Sequence, residues 1–197
     1  MLIFYDTETT GLPLWSSPSE DDGQPHLVQI AALLTEDDGQ PRATFSAVIK
    51  PDGWTIPDEV AAIHGITTEL AQRVGISLAC AMAALESMMS NADLRIAHNN
   101  SFDDKMAKIS GHRAGLLGIR SMIEAQPVFC TMKSSTNICR ILKDNPRTDS
   151  DWKWPKLGEA YKHFFQEELT GAHDALVDVK ACRRIYFELQ RQKQEAA

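Results

Sequence analysis

Asp6-Thr7-Glu8 sets two carboxylates two residues apart, directly after the apolar run Leu2–Tyr5. On an extended backbone alternate side chains share a face, so Asp6 and Glu8 point the same way. Carboxylates held that close repel and raise each other's pKa, a cost that a divalent cation removes. Hard cations such as Mg²⁺ take carboxylate oxygen, and a strand end beside a loop leaves room for their waters. A lone Asp-x-Glu is more commonly a solvated strand end, so the pair needs company.

Two further clusters supply it. His98-Asn99-Asn100-Ser101-Phe102-Asp103-Asp104 follows a short apolar segment and opens a helix. Asp103 falls in the first turn, where the helix dipole favours an acid with or without a ligand. The third is His173-Asp174-Ala175-Leu176-Val177-Asp178. On one ideal helix, His173 and Asp178 lie roughly 140° apart at 3.6 residues per turn. They converge on one site only if His173 precedes the helix, with Asp174 as its N-cap. Imidazole as a group titrates near neutrality, which suits a general base on such a loop.

In order, Asp6-Thr7-Glu8-Thr9-Thr10-Gly11-Leu12, His98-Asn99-x-x-Phe102-Asp103 and His173-x-Ala175-x-x-Asp178 resemble the three motifs of the DEDDh (DnaQ-like) 3′→5′ exonucleases. Ile63-His64-Gly65-Ile66-Thr67 is similar to a stretch these proteins carry between motifs. The resemblance implies an α/β fold of RNase H-like type: a mixed five-stranded sheet with helices on both faces. It implies that Asp6, Glu8, Asp103 and Asp178 hold two divalent cations, Mg²⁺ or Mn²⁺. Asp6 would touch both ions, Glu8 and Asp178 the one beside the attacking water, and Asp103 the other. His173 would be the general base. Thr9 and Thr10 would offer N–H or hydroxyl groups to the terminal nucleotide. Leu12 would lie against the terminal bases, with His64, His98 and Phe102 along the same cleft. Core packing is an equal reading for Leu12 and Phe102. The activity implied is hydrolysis of single-stranded nucleic acid, DNA favoured, from the 3′ end to nucleoside 5′-monophosphates. The alternatives are an RNA-specific member of the same fold and a binding module that has lost turnover; none of the five catalytic positions is missing, which speaks against the latter.

The elements that must position these residues follow from pattern. Leu2–Tyr5, His26–Thr35 and Thr44–Lys50 read as an antiparallel three-strand meander, with an Asp-Gly turn inside Glu36–Ala43. Pro13–Pro25, rich in Ser, Pro, Asp and Gly, is a loop, and its acidity is expected to limit access to duplex ends. Helical spacing begins at Pro57 and continues behind the candidate cap Ser77 with Leu78, Met82, Leu85 and Met89. Leu94–Ala97 and Val128–Cys130 read as strands, and Phe102–Ile109, Met132–Leu142, Pro155–Phe165 and Asp174–Gln192 as helices. Strands first, then alternation, argue for one domain over residues 1–197, with Gln190–Ala197 fraying. Trp152-Lys153-Trp154-Pro155-Lys156 reads as Trp154 packing over the entry of the Pro155 helix. Lys180, Arg183, Arg184, Arg191 and Lys193 read as a solvated face of the last helix.

Composition bounds the partners. Twenty Lys and Arg against 27 Asp and Glu give a net charge of −7, which disfavours coating of duplex DNA by phosphate neutralisation. No apolar stretch reaches the roughly 18–20 residues of a membrane span, and Met1–Asp6 has no basic leader. Cys80, Cys130, Cys139 and Cys182 have no zinc spacing and read as buried thiols, which makes cytoplasm the default. Nothing after the last helix is suited to a polymerase subunit, so a stand-alone enzyme is expected; a homodimer is compatible with it.

Overall fold

Leu2–Tyr5 is apolar at both parities, the mark of a strand covered on both faces. In the computed structural model, which describes residues 1–195, that run opens β1 (Leu2–Thr9) at the centre of a five-stranded sheet. Its neighbour β2 (Leu27–Thr35) is buried along its whole length, whereas β3 (Pro41–Val48) is a largely exposed edge. The other side is completed by β4 (Leu94–Ala97) and β5 (Val128–Cys130). The order is β3-β2-β1-β4-β5, antiparallel across the first three strands and parallel from β1 through β4 to β5. This is the meander followed by parallel strands that the sequence predicts. β1 runs four residues beyond Tyr5, so Asp6 and Glu8 stand inside a paired strand, with a register shift at Glu8/Thr9.

Helices cover both faces. Ile3, Tyr5, Ile30, Ala32 and Leu34 pack under α3 (Leu78–Ser90), α4 (Asn100–Arg113) and α5 (Gly118–Ala125). The preceding helices α1 (Asp58–His64) and α2 (Thr68–Val74) pack with Val28. Ser77 caps α3, its Oγ accepting from Cys80 N at 3.3 Å, and the helix buries Met82, Leu85 and Met89 completely. Truncating any one of these to alanine costs about 2–5 kcal/mol. On the opposite face, Leu2, Phe4, Ala31 and Leu33 meet α8 (Ala175–Glu195). Beside it lie α6 (Thr131–Cys139) and α7 (Leu157–Phe165).

Several boundaries differ from pattern. The predicted Thr44–Lys50 strand lies three residues earlier at its start and ends at Val48. The Met132 helix stops at Cys139 rather than Leu142, because Arg140 takes a left-handed φ of 51°. The next helix starts at Leu157, with Lys156 extended before it. Helix α8 is regular to Glu195, where fraying from Gln190 was expected; Arg191 bridges Glu188 and Glu195 along it, and residues 196–197 lie outside the described residues. Only Cys182 of the four free cysteines is fully buried, and Cys80 is exposed. No helix among the described residues is long and apolar enough to cross a membrane.

Two contacts fix the rotation of α8 on the sheet. Near its middle, Arg183 Nε donates to the Gly39 carbonyl at 3.2 Å, and Phe187 lies so close that a Cβ at Gly39 would stand 2.6 Å from its ring. Gly39 has φ +87°, so glycine is required there twice over. At its start, the buried Gln29 side chain of β2 accepts from Ala175 N at 3.1 Å.

Candidate active site

Continuing the alternation that turns Leu2 and Phe4 towards α8, Asp6 and Glu8 point to the same face. The pairing of β1 with β4 ends at Phe4–Ile96, so Asp6 stands two residues past the last pair, where the parallel strands end. At that edge Asn99 turns the chain from β4 into α4 in a left-handed conformation (φ 78°). Asp103, 2% exposed, then falls in the first turn and accepts the Thr7 hydroxyl at 2.8 Å. Two elements thus bring three acids to one edge of the sheet.

The fourth acid comes with the histidine. Asp174 caps α8, its Oδ1 accepting from Leu176 N at 2.9 Å and Val177 N at 3.2 Å, so His173 lies before the helix. His173 takes a left-handed φ of 68°, a strained value for a residue with a Cβ. That turn aims its N–H at Asp178 Oδ2, 3.1 Å away. Glu8, His173 and Asp178 each place a ligand atom within 4.8 Å of the others. His173 is exposed, Asp178 buried and Glu8 between them. Asp178 Oδ1 is buried without a hydrogen-bond partner.

Electrostatics sets this cluster apart. Among the described residues, neither Lys nor Arg forms an ion pair with Asp6, Glu8, Asp103 or Asp178. Burial pushes Asp6 well above the usual carboxylate range, and repulsion from Asp103, Asp178 and Glu8 adds to it. Burial likewise raises Glu8 to about 8, with Asp178 and Asp174 contributing. Asp103 is raised by burial against the pull of the Thr7 hydroxyl, and Asp178 by burial against the His173 N–H. Four acids that resist ionising together form a receptor for positive charge.

The other predicted residues scatter around this centre. Thr9 is buried and its hydroxyl donates to Gly11 O at 2.7 Å, while Thr10 exchanges N–H and hydroxyl contacts with the backbone of His26 (both 2.9 Å). Both hydroxyls and the Thr10 N–H are thereby engaged in shaping the turn after β1. Leu12 is 79% exposed, which removes the core-packing reading, and Phe102 is half-buried on the first turn of α4. His64 ends α1; its Nδ1 accepts from Ile66 N at 3.1 Å, its Nε2 is buried and unpartnered, and the nearby His173 helps to lower its pKa after burial itself. His98 departs from the cleft position expected of it. Its Nδ1 meets Thr131 Oγ1 and its Nε2 the Pro155 carbonyl, both at 2.9 Å, and burial lowers its pKa to about 4. It is a neutral brace between β4, α6 and the approach to α7.

Asp174 is the N-cap that the sequence predicts, whereas Gln29 and Thr7 are positioning residues that motif spacing does not reveal. Only Gln29 left a signal, as the one strongly polar side chain in the apolar run Val28–Leu34. A cavity of about 780 Å³ opens elsewhere, lined by His26, Lys50, Trp54 and Arg113 among others, and none of the four acids borders it.

The family model for exonucleases of the RNase T type matches residues 3–186. No curated protein matches. Among solved structures, Escherichia coli exonuclease I in complex with a dT13 oligonucleotide is 20% identical with a TM-score of 0.75, covering 99% of this chain and 42% of that one. Its complex with a dA16 oligonucleotide gives 21% and 0.75, over 99% and 41%. A complex of exonuclease I with SSB-Ct gives 19% and 0.72, over 99% and 42%. The chain spans about two fifths of the length of these relatives, and the likeness to them is one of fold. With the family match running through all three motifs and the sheet that joins them, the chain belongs to the RNase T exonuclease family, of the DEDDh, RNase H-like type.

Proposed function

We propose that this protein removes nucleotides one at a time from the 3′ end of single-stranded nucleic acid, DNA in preference to RNA, by hydrolysis. What supports this reading is the grouping of Glu8, His173 and Asp178 with Asp6 close enough to be repelled by Glu8, Asp103 and Asp178, and, among the described residues, no Lys or Arg ion-paired to these acids. Single-stranded DNA as substrate is supported by the oligonucleotides bound in the exonuclease I complexes.

Divalent cations fit the residues present. The donors are carboxylate oxygens, which suit Mg²⁺ or Mn²⁺, and the orphaned Asp178 Oδ1 needs a partner that the protein does not supply. Asp6, Glu8, Asp103 and Asp178 would hold two such ions, their four negative charges matched by four positive ones. Bound there, the ions lower the pKa of water and stabilise charge on the phosphoryl group.

The chain's own groups do the rest. The water oxygen bonds to the phosphorus of the terminal phosphodiester while the bond to the preceding 3′-oxygen breaks. His173 takes a proton from that water, and the departing oxygen gains one from solvent. The exposed imidazole, on a turn fixed by the main-chain N–H of His173 donating to Asp178, can return the proton to bulk water. Leu12, prominent beyond the same turn that follows Glu8, lies against the terminal base.

Matched DNA and RNA oligonucleotides, labelled at either end and incubated with Mg²⁺ or Mn²⁺ or with chelator, test the reading. Expected is a cation-dependent release of 5′-monophosphates from the 3′ end, faster on DNA. Faster loss of RNA would convert the enzyme to an exoribonuclease; cleavage from the 5′ end, or none with any ion, would reject the proposal. His173→Ala should lower kcat by about 10²–10⁴-fold, the usual loss of a general base.

A further inference from the structure

The segment between α6 and α7 contradicts the packing expected of its tryptophans. Trp152 pairs with Leu142 in an isolated antiparallel bridge and is half-buried, but Trp154 is 62% exposed. Its backbone is nonetheless pinned on both sides. Lys153 N donates to Ile141 O at 2.8 Å, the Pro155 carbonyl meets His98 Nε2 at 2.9 Å, and Lys156 N donates to Glu159 Oε2 at 2.7 Å. A large indole held out in water on a fixed backbone is poised to cover or be covered.

Charge says what fits it. From Lys133 to Lys156 the chain carries Lys133, Arg140, Lys143, Arg147, Lys153 and Lys156 against Asp144, Asp149 and Asp151, a net +3 within a chain of −7. Lys143 and Lys153 are engaged with Asp151 and Glu159. Lys133, Arg140, Arg147 and Lys156 are exposed and form no ion pair among the described residues. The basic face of α8 behaves differently: Arg183, Arg184 and Arg191 contact Gly39, Glu167 and Glu188. The exposed Trp15, at 58%, sits on a loop with Glu20, Asp21 and Asp22 and offers a polyanion little.

Position connects the strip to the site. His98, which holds Pro155, directly follows β4, the parallel neighbour of the strand bearing Asp6, and lies five residues before Asp103. The strip is therefore attached to the sheet edge where the acids meet.

We propose that Trp154, with Lys133, Arg140, Arg147 and Lys156, is a holding surface for single-stranded nucleic acid behind its 3′ end. A base stacks on the indole and backbone phosphates lie along the four cations. Stacking on a tryptophan accepts any base, as an exonuclease that advances along a strand requires. This deepens the function proposed above, and its test does not depend on cleavage.

Binding of a 5′-fluorescein oligothymidylate of about 20 nucleotides, followed by anisotropy in chelator, reads the surface directly. Trp154→Ala should weaken binding by about 5- to 100-fold, the range for one stacked base, while Trp154→Phe retains most of it. Replacing Arg140, Arg147 and Lys156 together by alanine should flatten the dependence of log Kd on log salt by about 2, near 0.7 per lost phosphate contact. In Mg²⁺, Trp154→Ala should raise KM for the long strand and leave dinucleotide hydrolysis unchanged. Wild-type affinity and salt slope in these variants would overturn the proposal and make the strip a contact for a protein. Trp154-dependent binding by a chain that never cleaves would support the surface and reject only the nuclease reading.

Discussion

Asp103 and Asp104 are consecutive residues of α4 with opposite fates. Asp104 joins Arg95, 1% exposed on β4, and the Tyr5 hydroxyl; Arg95 also donates to the Tyr5 oxygen and the Ile123 carbonyl, both at 2.8 Å. That buried charge is answered within the protein. Asp103 accepts the Thr7 hydroxyl and repels Asp6, and among the described residues it forms no ion pair. A compensated buried acid holds the fold together, whereas an uncompensated group of them stores a demand for a ligand. The difference can be broken from either side.

The largest effect is expected on the uncompensated side. Asp6→Asn should lower kcat by about 10³-fold or more, the scale of a lost preorganised electrostatic group. Chemical denaturation of the metal-free variant should show equal or higher stability, because a repulsion is gone. The compensated side should answer in reverse. Asp104→Ala strands Arg95 and should cost about 3–5 kcal/mol in a denaturation experiment, while kcat per folded molecule stays within a few-fold of wild type.

A milder probe is pH. Glu8 has a folded pKa raised to about 8 from 4.5, so the folded metal-free protein holds a proton that the unfolded chain releases. Its contribution favours folding below about pH 4.5 and is lost as pH rises towards 8. The melting temperature in chelator should therefore fall across that window, and saturating Mg²⁺ should restore more of it at pH 8 than at pH 6. A flat metal-free profile would place the acids farther apart than the structure has them. Smallest of all, Gln29→Leu removes the acceptor for Ala175 N and should cost about 1–3 kcal/mol of stability, with weakened Mg²⁺ affinity in a titration because the start of α8 is less firmly placed.

Much of this was legible in the chain because it is local. The continuous apolar run Leu2–Tyr5 gives the strand, and the two-residue period of an extended backbone gives the shared face of Asp6 and Glu8. The five-residue offset from His173 to Asp178 forces the histidine off the helix, where Asp174 caps it. What escaped is decided by partners distant in sequence. Helix α5 has two turns, follows Gly115-Leu116-Leu117 and opens on Gly118, a stretch that carries a loop signature, so only its packing through Ile119 and Ile123 reveals it. His98 looks like a cleft residue until Pro155, 57 positions away, takes its Nε2. Trp154 reads as packing over the entry of the Pro155 helix, yet it is exposed while the bridge to Leu142 draws Trp152 inward. Arg95 is a charge in a short strand whose answer lies on two other elements.

One detail of the turn before α8 reaches further. The contact that orients Asp178 belongs to the main chain of residue 173, not to its imidazole. Architecture and the proposed proton chemistry thus reside in different atoms of one residue. Exchanging the ring would alter the proposed proton transfer while the hold on Asp178 stays as it was.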